Sequence, residues 1–207
     1  MSVAFPLILT TTAMTQTHTE PSSGSVGVHV GYFLPLGDWN KHRFAPNIDQ
    51  FGGNIGFGGD LEIRLSDRWG LAITGGYSKL DVSEWEDFAR AAGDDVTASA
   101  SVGHIGLLLR PYLGTSRPDI IKIELGASLV FTKGKETFGR FSYEYDFLKS
   151  TVVGILLGIE YDRFLSENIA LAARISSMIV PSGIEYADGV DQSLIIMPLT
   201  IGMRFHF

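Results

Sequence analysis

From Ser25 onward, apolar and polar residues alternate with a period of two along nearly the whole chain. That spacing gives a β-strand one apolar and one polar face. Eight such runs can be traced, over residues 26–34, 55–65, 69–77, 105–113, 121–131, 153–161, 169–179 and 195–207, and no position on their apolar faces is charged. No long segment keeps a helical period; residues 84–92, inside a connection, read as a short helix. The connections have a rhythm of their own. Those at 66–68, 114–119 and 162–168 are short, whereas those at 37–54, 81–100, 133–150 and 181–192 are long. Strict alternation of short and long predicts up-and-down antiparallel order, with the long loops at one end and both termini at the other. The expected fold is therefore all-β, a closed eight-stranded antiparallel up-and-down barrel over residues 25–207.

The other face of the same runs is polar or small. It holds Asp60, Glu62, Glu124, Glu160 and Asp162 against Arg64, Arg110, Lys122, Arg174 and Arg204, five acids to five bases. The rest of the chain, with 11 basic and 18 acidic residues, carries the whole net charge of −7. Were this face the solvated exterior of a soluble barrel, neutrality would serve no purpose. A closed interior needs it, because an unpaired buried charge is costly and a paired, hydrogen-bonded one persists. Gly and Ser are frequent on this face and Lys122 is its only lysine, a composition suited to a narrow lumen rather than to a wet surface.

The apolar face ends in aromatic residues at both edges: Tyr32, Phe57, Tyr77 and Phe131 toward the long loops, and Trp69, Tyr161, Phe205 and Phe207 toward the short turns. Trp69 and Tyr77 are separated by roughly 26 Å of strand at ~3.3 Å per residue. An apolar band ~25 Å tall between aromatic girdles is what a transmembrane barrel shows to lipid. In hydrocarbon every backbone polar group must be paired internally, so a sheet survives there only when closed. The apolar face is expected to point outward, and the ten charges inward as a polar network.

Composition narrows the remaining choices. With 45% hydrophobic residues, 19% charged and an acidic balance, the chain is neither disordered nor a basic nucleic-acid binder, and no nucleic-acid partner is expected. Zero cysteines exclude disulfides, thiolate metal sites and Cys nucleophiles. The longest apolar stretches, 3–9 and 152–159, fall short of the ~20 residues of a membrane-spanning helix. The first, followed by Thr11 and Ala13 at −3 and −1 spacing, reads as the apolar part of a secretory signal, although no Lys or Arg precedes Lys41. Residues 1–24 are thus expected to be an incomplete signal peptide and a flexible lead-in.

The chain ends in Leu199-Thr-Ile-Gly-Met-Arg-Phe-His-Phe207, and its first strand carries Gly31-Tyr32 followed by Pro35-Leu36-Gly37-Asp38-Trp39. In these features, and in pattern over residues 25–207, it resembles the small OmpA/OmpX-type outer-membrane barrels of Gram-negative bacteria. The resemblance implies residence in the outer membrane, contact with its lipid, loops at the cell surface with an extracellular ligand as a candidate partner, and a structural or adhesive role. It also implies that Phe207, Phe205 and Met203 form the terminal signal read by the barrel-assembly machinery and periplasmic chaperones. Gly37-Asp38-Trp39 resembles in turn the Gly-x-Trp signature of lipocalins, soluble ligand-binding barrels, but there the motif opens the first strand and here it follows one.

Candidate chemistry is sparse. Some eight-stranded barrels modify lipid A. None of His18, His29, His42, His104 and His206 is followed two residues later by Ser, as a deacylase-like pair requires. His42 with Asp94 or Asp95 and Ser99 or Ser101 could serve a transferase-like site, yet such residues are common in polar loops, and no enzymatic role is expected. The second loop, with Asp81, Glu84, Glu86, Asp87, Asp94 and Asp95 against Arg90, and the fourth, with Glu185, Asp188 and Asp191, lack calcium-loop spacing and read as solvated acidic segments. No metal or cofactor is expected. The third loop, with Phe138, Phe141, Tyr143, Tyr145 and Phe147 beside Lys133, Lys135 and Arg140, is the most adhesive-looking part of the chain, although aromatics at period two more often extend two strands into a hairpin, which is the expectation here. An eight-stranded lumen is just filled by side chains, so ten paired charges and Tyr112 should plug it against conduction.

Overall fold

The computed structural model describes residues 23–36, 41–42, 45–49, 51–114, 118–138, 143–185 and 191–207, with backbone alone for 41–42, 45–49, 138, 143–149, 182–185 and 191–192. The expected signal and lead-in, up to residue 22, lie outside the described residues. Among the described residues, ten strands and one helix follow in order: β1 Gly24–Leu36, β2 Lys41–His42, β3 Ala45–Asp49, β4 Asn54–Ser66, β5 Trp69–Leu80, α1 Ser83–Ala91, β6 Val96–Pro111, β7 Asp119–Phe138, β8 Tyr143–Phe164, β9 Ile169–Glu185 and β10 Asp191–His206. Eight of them close an antiparallel barrel in the order β1-β10-β9-β8-β7-β6-β5-β4, with β4 returning to β1; β2 and β3 pair only with each other in the first long connection. The termini of the barrel meet where Gly24 and Phe207 exchange backbone hydrogen bonds of 3.1 and 3.0 Å.

The long connections are shorter than the alternation predicted, because strands continue past the expected apolar band. Pairing of β7 with β8 runs out to Phe138 opposite Tyr143, so the third loop is a hairpin extension of the barrel wall. In the second loop the expected helix forms as α1. Its acids are used locally: Asp81 accepts from the Ser83 amide (3.0 Å), Glu86 from the Ala98 amide (2.7 Å), and Asp87 pairs with Arg90 (2.6 Å).

The apolar face points outward. Ile55, Phe57, Ile175 and Ile201 are each about three-fifths exposed, while Arg110, Glu124, Glu160 and Arg204 are fully buried. This orientation overturns the soluble lipocalin alternative, which needs the greasy face inside. No helix of the described residues is long and apolar enough to cross a membrane; the spanning elements are strands.

The lumen is not polar throughout, as alternation alone would have it. Toward the long loops its inner face is apolar: Phe33, Val102, Val130, Leu156, Met178 and Ile196 are buried together, with Phe51 from the first connection among them. The ion-paired inward side chains occupy the half toward the short turns, while Glu136 is buried beside Trp85 at the loop end. The reason is visible in the pattern itself, which lapses at Val152-Val153, Ile155-Leu156-Leu157, Met178-Ile179-Val180 and Leu194-Ile195-Ile196-Met197. A continuous apolar run means a strand with apolar surroundings on both faces, here lipid and an inner layer. Burial of each larger side chain in that layer contributes about 1.5–3 kcal/mol.

At two seams of the barrel the strands leave no room for a side chain: a Cβ at Gly31 would collide with the backbone of Leu199 on β10, and one at Gly126 with that of Leu107 on β6. The β1–β10 and β6–β7 seams lie opposite each other, with four strands on either side.

Exposure of Ile175 to lipid has a measurable consequence. Ile175→Arg places a charge on the outer wall and should cost about 2–4 kcal/mol of folding free energy in a bilayer, read by denaturant titration in phospholipid vesicles. A cost near zero would mean that this face meets water.

Candidate functional site

The inward parity of six strands delivers charge to one place: Asp60 and Glu62 from β4, Arg110 from β6, Lys122 and Glu124 from β7, Glu160 and Asp162 from β8, Arg174 from β9 and Arg204 from β10. Several of these pairs reach across an intervening strand, which small residues make possible. Asp60 and Arg204 meet over β1 at Gly27, where a Cβ would stand 3.0 Å from the Asp60 carboxylate and 3.1 Å from the Arg204 guanidinium. Glu124 likewise reaches Arg174 (2.6 Å) across β8 past Gly158, where a Cβ would stand 2.8 Å from the Glu124 carboxylate and 2.8 Å from Ser176 Cβ. The inner-face glycines are thus the saddle points of the network.

Arg110 is the hub. Its Nη1 donates to Asp60 Oδ1 (2.7 Å) and Glu62 Oε2 (2.6 Å), and its Nη2 to Glu124 Oε1 (2.7 Å), with Glu160 Oε2 at 3.5 Å. Arg204 donates to both oxygens of Asp60 (2.8 and 3.0 Å) and to Ser25 Oγ (3.0 Å), and stands 2.7 Å from Glu160 and 3.3 Å from Asp162. Lys122 Nζ lies 2.7 Å from Asp162 and 3.1 Å from both Glu62 and Glu160. Arg174 Nε donates to Glu124 Oε2 at 2.6 Å, and the Tyr112 hydroxyl donates to Glu62. Planar guanidinium forks suit this arrangement because each presents five donors to several carboxylates at once. With water excluded, the attraction between these groups is strong, and so is the penalty for any one left alone.

Arg64 does not join the cluster. Its side chain turns to the short-turn mouth, donating to the Ser66 and Asp67 carbonyls at 3.2 and 3.4 Å, 3.6 Å from the Asp67 carboxylate and over the Tyr112 ring at 5.3 Å. The buried cluster among the described residues is therefore five acids against four bases. His29 stands beside it, with Nε2 3.3 Å from Asp60. Between the ionic and apolar layers lies a small cavity lined by His29, His104, Gly58, Gly76, Arg174 and Thr200.

The girdle residues Tyr32, Phe57, Tyr77, Phe131, Trp69, Tyr161 and Phe205 are all exposed on the outer wall. Phe57 and Tyr77 face each other across β4 and β5 with ring centroids 5.9 Å apart, and the Tyr32 hydroxyl donates to the Gly53 carbonyl at 2.7 Å. At the water-facing short-turn end, the Tyr161 hydroxyl (2.5 Å) and Arg163 (2.8 Å) donate to Asp119 and hold its carboxyl below the ordinary carboxylate range. Phe207, Phe205 and Met203 line one outward face of the final strand. The His42 side chain lies outside the described residues, while Asp94, Asp95 and Ser99 are exposed near α1. His206 packs on Phe164 at the short-turn end, ring centroids 4.6 Å apart. Among the described residues no three His, Asp or Glu side chains converge as a metal would require.

Because Arg110 holds four carboxylates, Arg110→Met should destabilise the folded barrel by about 3–5 kcal/mol, measured as a lower denaturant midpoint in vesicles. Arg90→Met, which breaks the exposed α1 pair, should cost about 0–1 kcal/mol. Equal effects would show that the buried cluster contributes no more than a surface pair.

No family model matches the chain, and no curated protein matches it in sequence. Solved structures match in fold. A major outer membrane protein from Thermus thermophilus superposes with a TM-score of 0.53 at 12% identity, covering 89% of this chain and 99% of that one. The outer membrane protein OprG from Pseudomonas aeruginosa gives 0.53 at 14% identity, covering 90% and 97%, and the neisserial surface protein A gives 0.50 at 17%, covering 91% and 100%. At these identities the likeness is one of fold. Taken with the exposed apolar belt and the buried ion cluster, it makes the chain a transmembrane β-barrel of the bacterial outer-membrane type.

Proposed function

We propose that the chain is an integral outer-membrane protein with a structural, adhesive or surface-interaction role, not an enzyme and not an open pore. The observation that carries this reading is the double seal of the lumen: the fully buried Arg110 hub on the short-turn side and the apolar layer around Phe51 and Met178 on the loop side. Function then falls to what the wall presents. Lipid meets the outer face, and the acidic α1 connection and the β7–β8 hairpin stand at the loop end as the surface for an extracellular ligand.

Phe207 supports a second part of the reading, recognition by the barrel-assembly machinery and its chaperones. It closes the β1–β10 seam through its backbone while its ring stays exposed, so the side chain is available to a partner without loss to the barrel's own packing.

On fractionation the protein should stay with detergent-extracted outer membrane and show heat-modifiable gel mobility, and in planar bilayers it should form no stable channels of nanosiemens size. Recovery in the aqueous fraction would reject membrane residence, and steady channels would reject the sealed lumen. Deleting Phe207 should lower the yield of assembled barrel in cells while leaving refolding from denaturant into detergent intact; an unchanged cellular yield removes the assembly role.

A further inference from the structure

On β5 to β8 the aromatic girdle at the loop side follows one rung of the sheet, from Tyr77 through Gly103 and Phe131 to Thr151, each opposite the next. Two residues farther toward the loops, the same strands place Lys79, Ser101, Lys133 and Lys149 opposite one another in turn. Lys135 follows two residues beyond Lys133. Four of the six lysines in an acidic chain thus gather on three strands of one wall. The loop-side halves of β1, β4, β9 and β10 contain no Lys or Arg.

These charges are not neutralised within the wall. Lys79 and Lys133 are both exposed, and neither forms an ion pair among the described residues. The nearest acids are committed elsewhere: Asp81 accepts from the Ser83 amide at 3.0 Å, and Asp146 stands opposite Lys135. What the register sets opposite Lys133 is a second lysine, Lys149. Like charges at opposite positions of an antiparallel pair are unfavourable, a cost that an external anion between them offsets.

Between the two exposed lysines, β6 leaves a furrow. Its residues here are Ser101 and Gly103, flanked by Lys79 and Tyr77 on β5 and by Lys133 and Phe131 on β7. Even a Cβ at Gly103 would meet nothing closer than 3.5 Å. Toward the membrane centre the furrow passes to Ile105 and Leu107, both exposed on the outer wall. Lys79 and Lys133 stand two strand spacings apart, about 10 Å, so two flexible stems can bring both ammonium groups to one anion lying over Ser101.

We propose that this furrow binds a phosphate-bearing lipid of the leaflet at the loop end, its phosphate held between Lys79 and Lys133 and one acyl chain running down β6 past Gly103 to Ile105. This rests on the membrane-embedded reading above. Two lysines serve as compact point charges for the phosphate, and the gap between the Tyr77 and Phe131 rings admits the chain. A choline ester brings a cation of its own to the lysines, so the furrow favours a phosphate monoester over a zwitterionic head.

The protein is refolded into phosphatidylcholine bilayers carrying a trace of spin-labelled phosphatidic acid or spin-labelled phosphatidylcholine, and electron spin resonance reads the fraction of label immobilised at the protein surface. Phosphatidic acid should be held about fivefold more strongly, a ratio equivalent to ~1 kcal/mol. The preference should disappear in the double variant Lys79→Gln/Lys133→Gln, and equally in Ser101→Trp, which fills the furrow and keeps both charges. Arg68→Gln, which removes an exposed arginine at the short-turn end, should leave it unchanged. Equal binding of the two lipids by the unsubstituted protein, a preference that survives in either furrow variant, or one lost with Arg68→Gln overturns the site. The two furrow variants test it independently, so failure of one to fold leaves the other decisive. Immobilised phosphatidylcholine reports membrane embedding separately, since it is present in every sample whose barrel meets lipid.

Discussion

In hydrocarbon a backbone amide or carbonyl has no partner except another backbone group, and an unpaired one costs several kcal/mol. The rest of this structure follows from that constraint. It forces the sheet to close, so β1 pairs with both β4 and β10, and the first and last barrel strands meet at Gly24 and Phe207. Closure at eight strands fixes a lumen so narrow that side chains fill it. Every charge aimed inward then has other side chains, rather than water, as its neighbours. The ion cluster around Arg110 and the glycines over which its pairs reach are thus consequences of closure as much as of any particular role.

Membership in the cluster is shared rather than pairwise. Glu160 serves Arg110, Arg204 and Lys122, and Glu62 serves the same three together with Tyr112. Removal of one cation leaves several carboxylates short of a donor at once, so the effects of substitutions here are strongly non-additive. A surface pair such as Asp87 with Arg90 lacks this property because water replaces whichever partner is lost.

Much of the architecture was legible in the sequence, since a period of two, uncharged on one face, is a direct image of a wall between two media. The eight barrel strands and the outward apolar face follow from it, and the antiparallel order follows from the alternation of short and long connections. Other features were not legible for identifiable reasons. The apolar layer is written as lapses in alternation, at Leu194-Ile195-Ile196-Met197 for example, and these pass for noise when only one face is read. Arg64 has the right parity for the cluster but stands near the strand end, where a flexible side chain reaches the nearer carbonyls of Ser66 and Asp67 instead. Strand extension beyond the membrane carries no lipid-facing signature, so the connections looked longer than they are.

The two layers of the lumen exclude ions by different physics, and that difference bears on what the barrel can do. Above, an apolar constriction around Phe51, Val180 and Leu194 offers a hydrated ion no replacement for its water shell. Below, four cations already occupy the carboxylates, so a passing cation would have to displace an arginine held by several bonds. Either layer alone would oppose conduction; loosening the ionic layer by substitution still leaves the apolar one in place. The acidity of the chain lies in the connections and ends instead, where it is screened by solvent and free to act on what approaches from outside. Charge that locks the fold and charge that faces solvent are thus held on different parts of the chain.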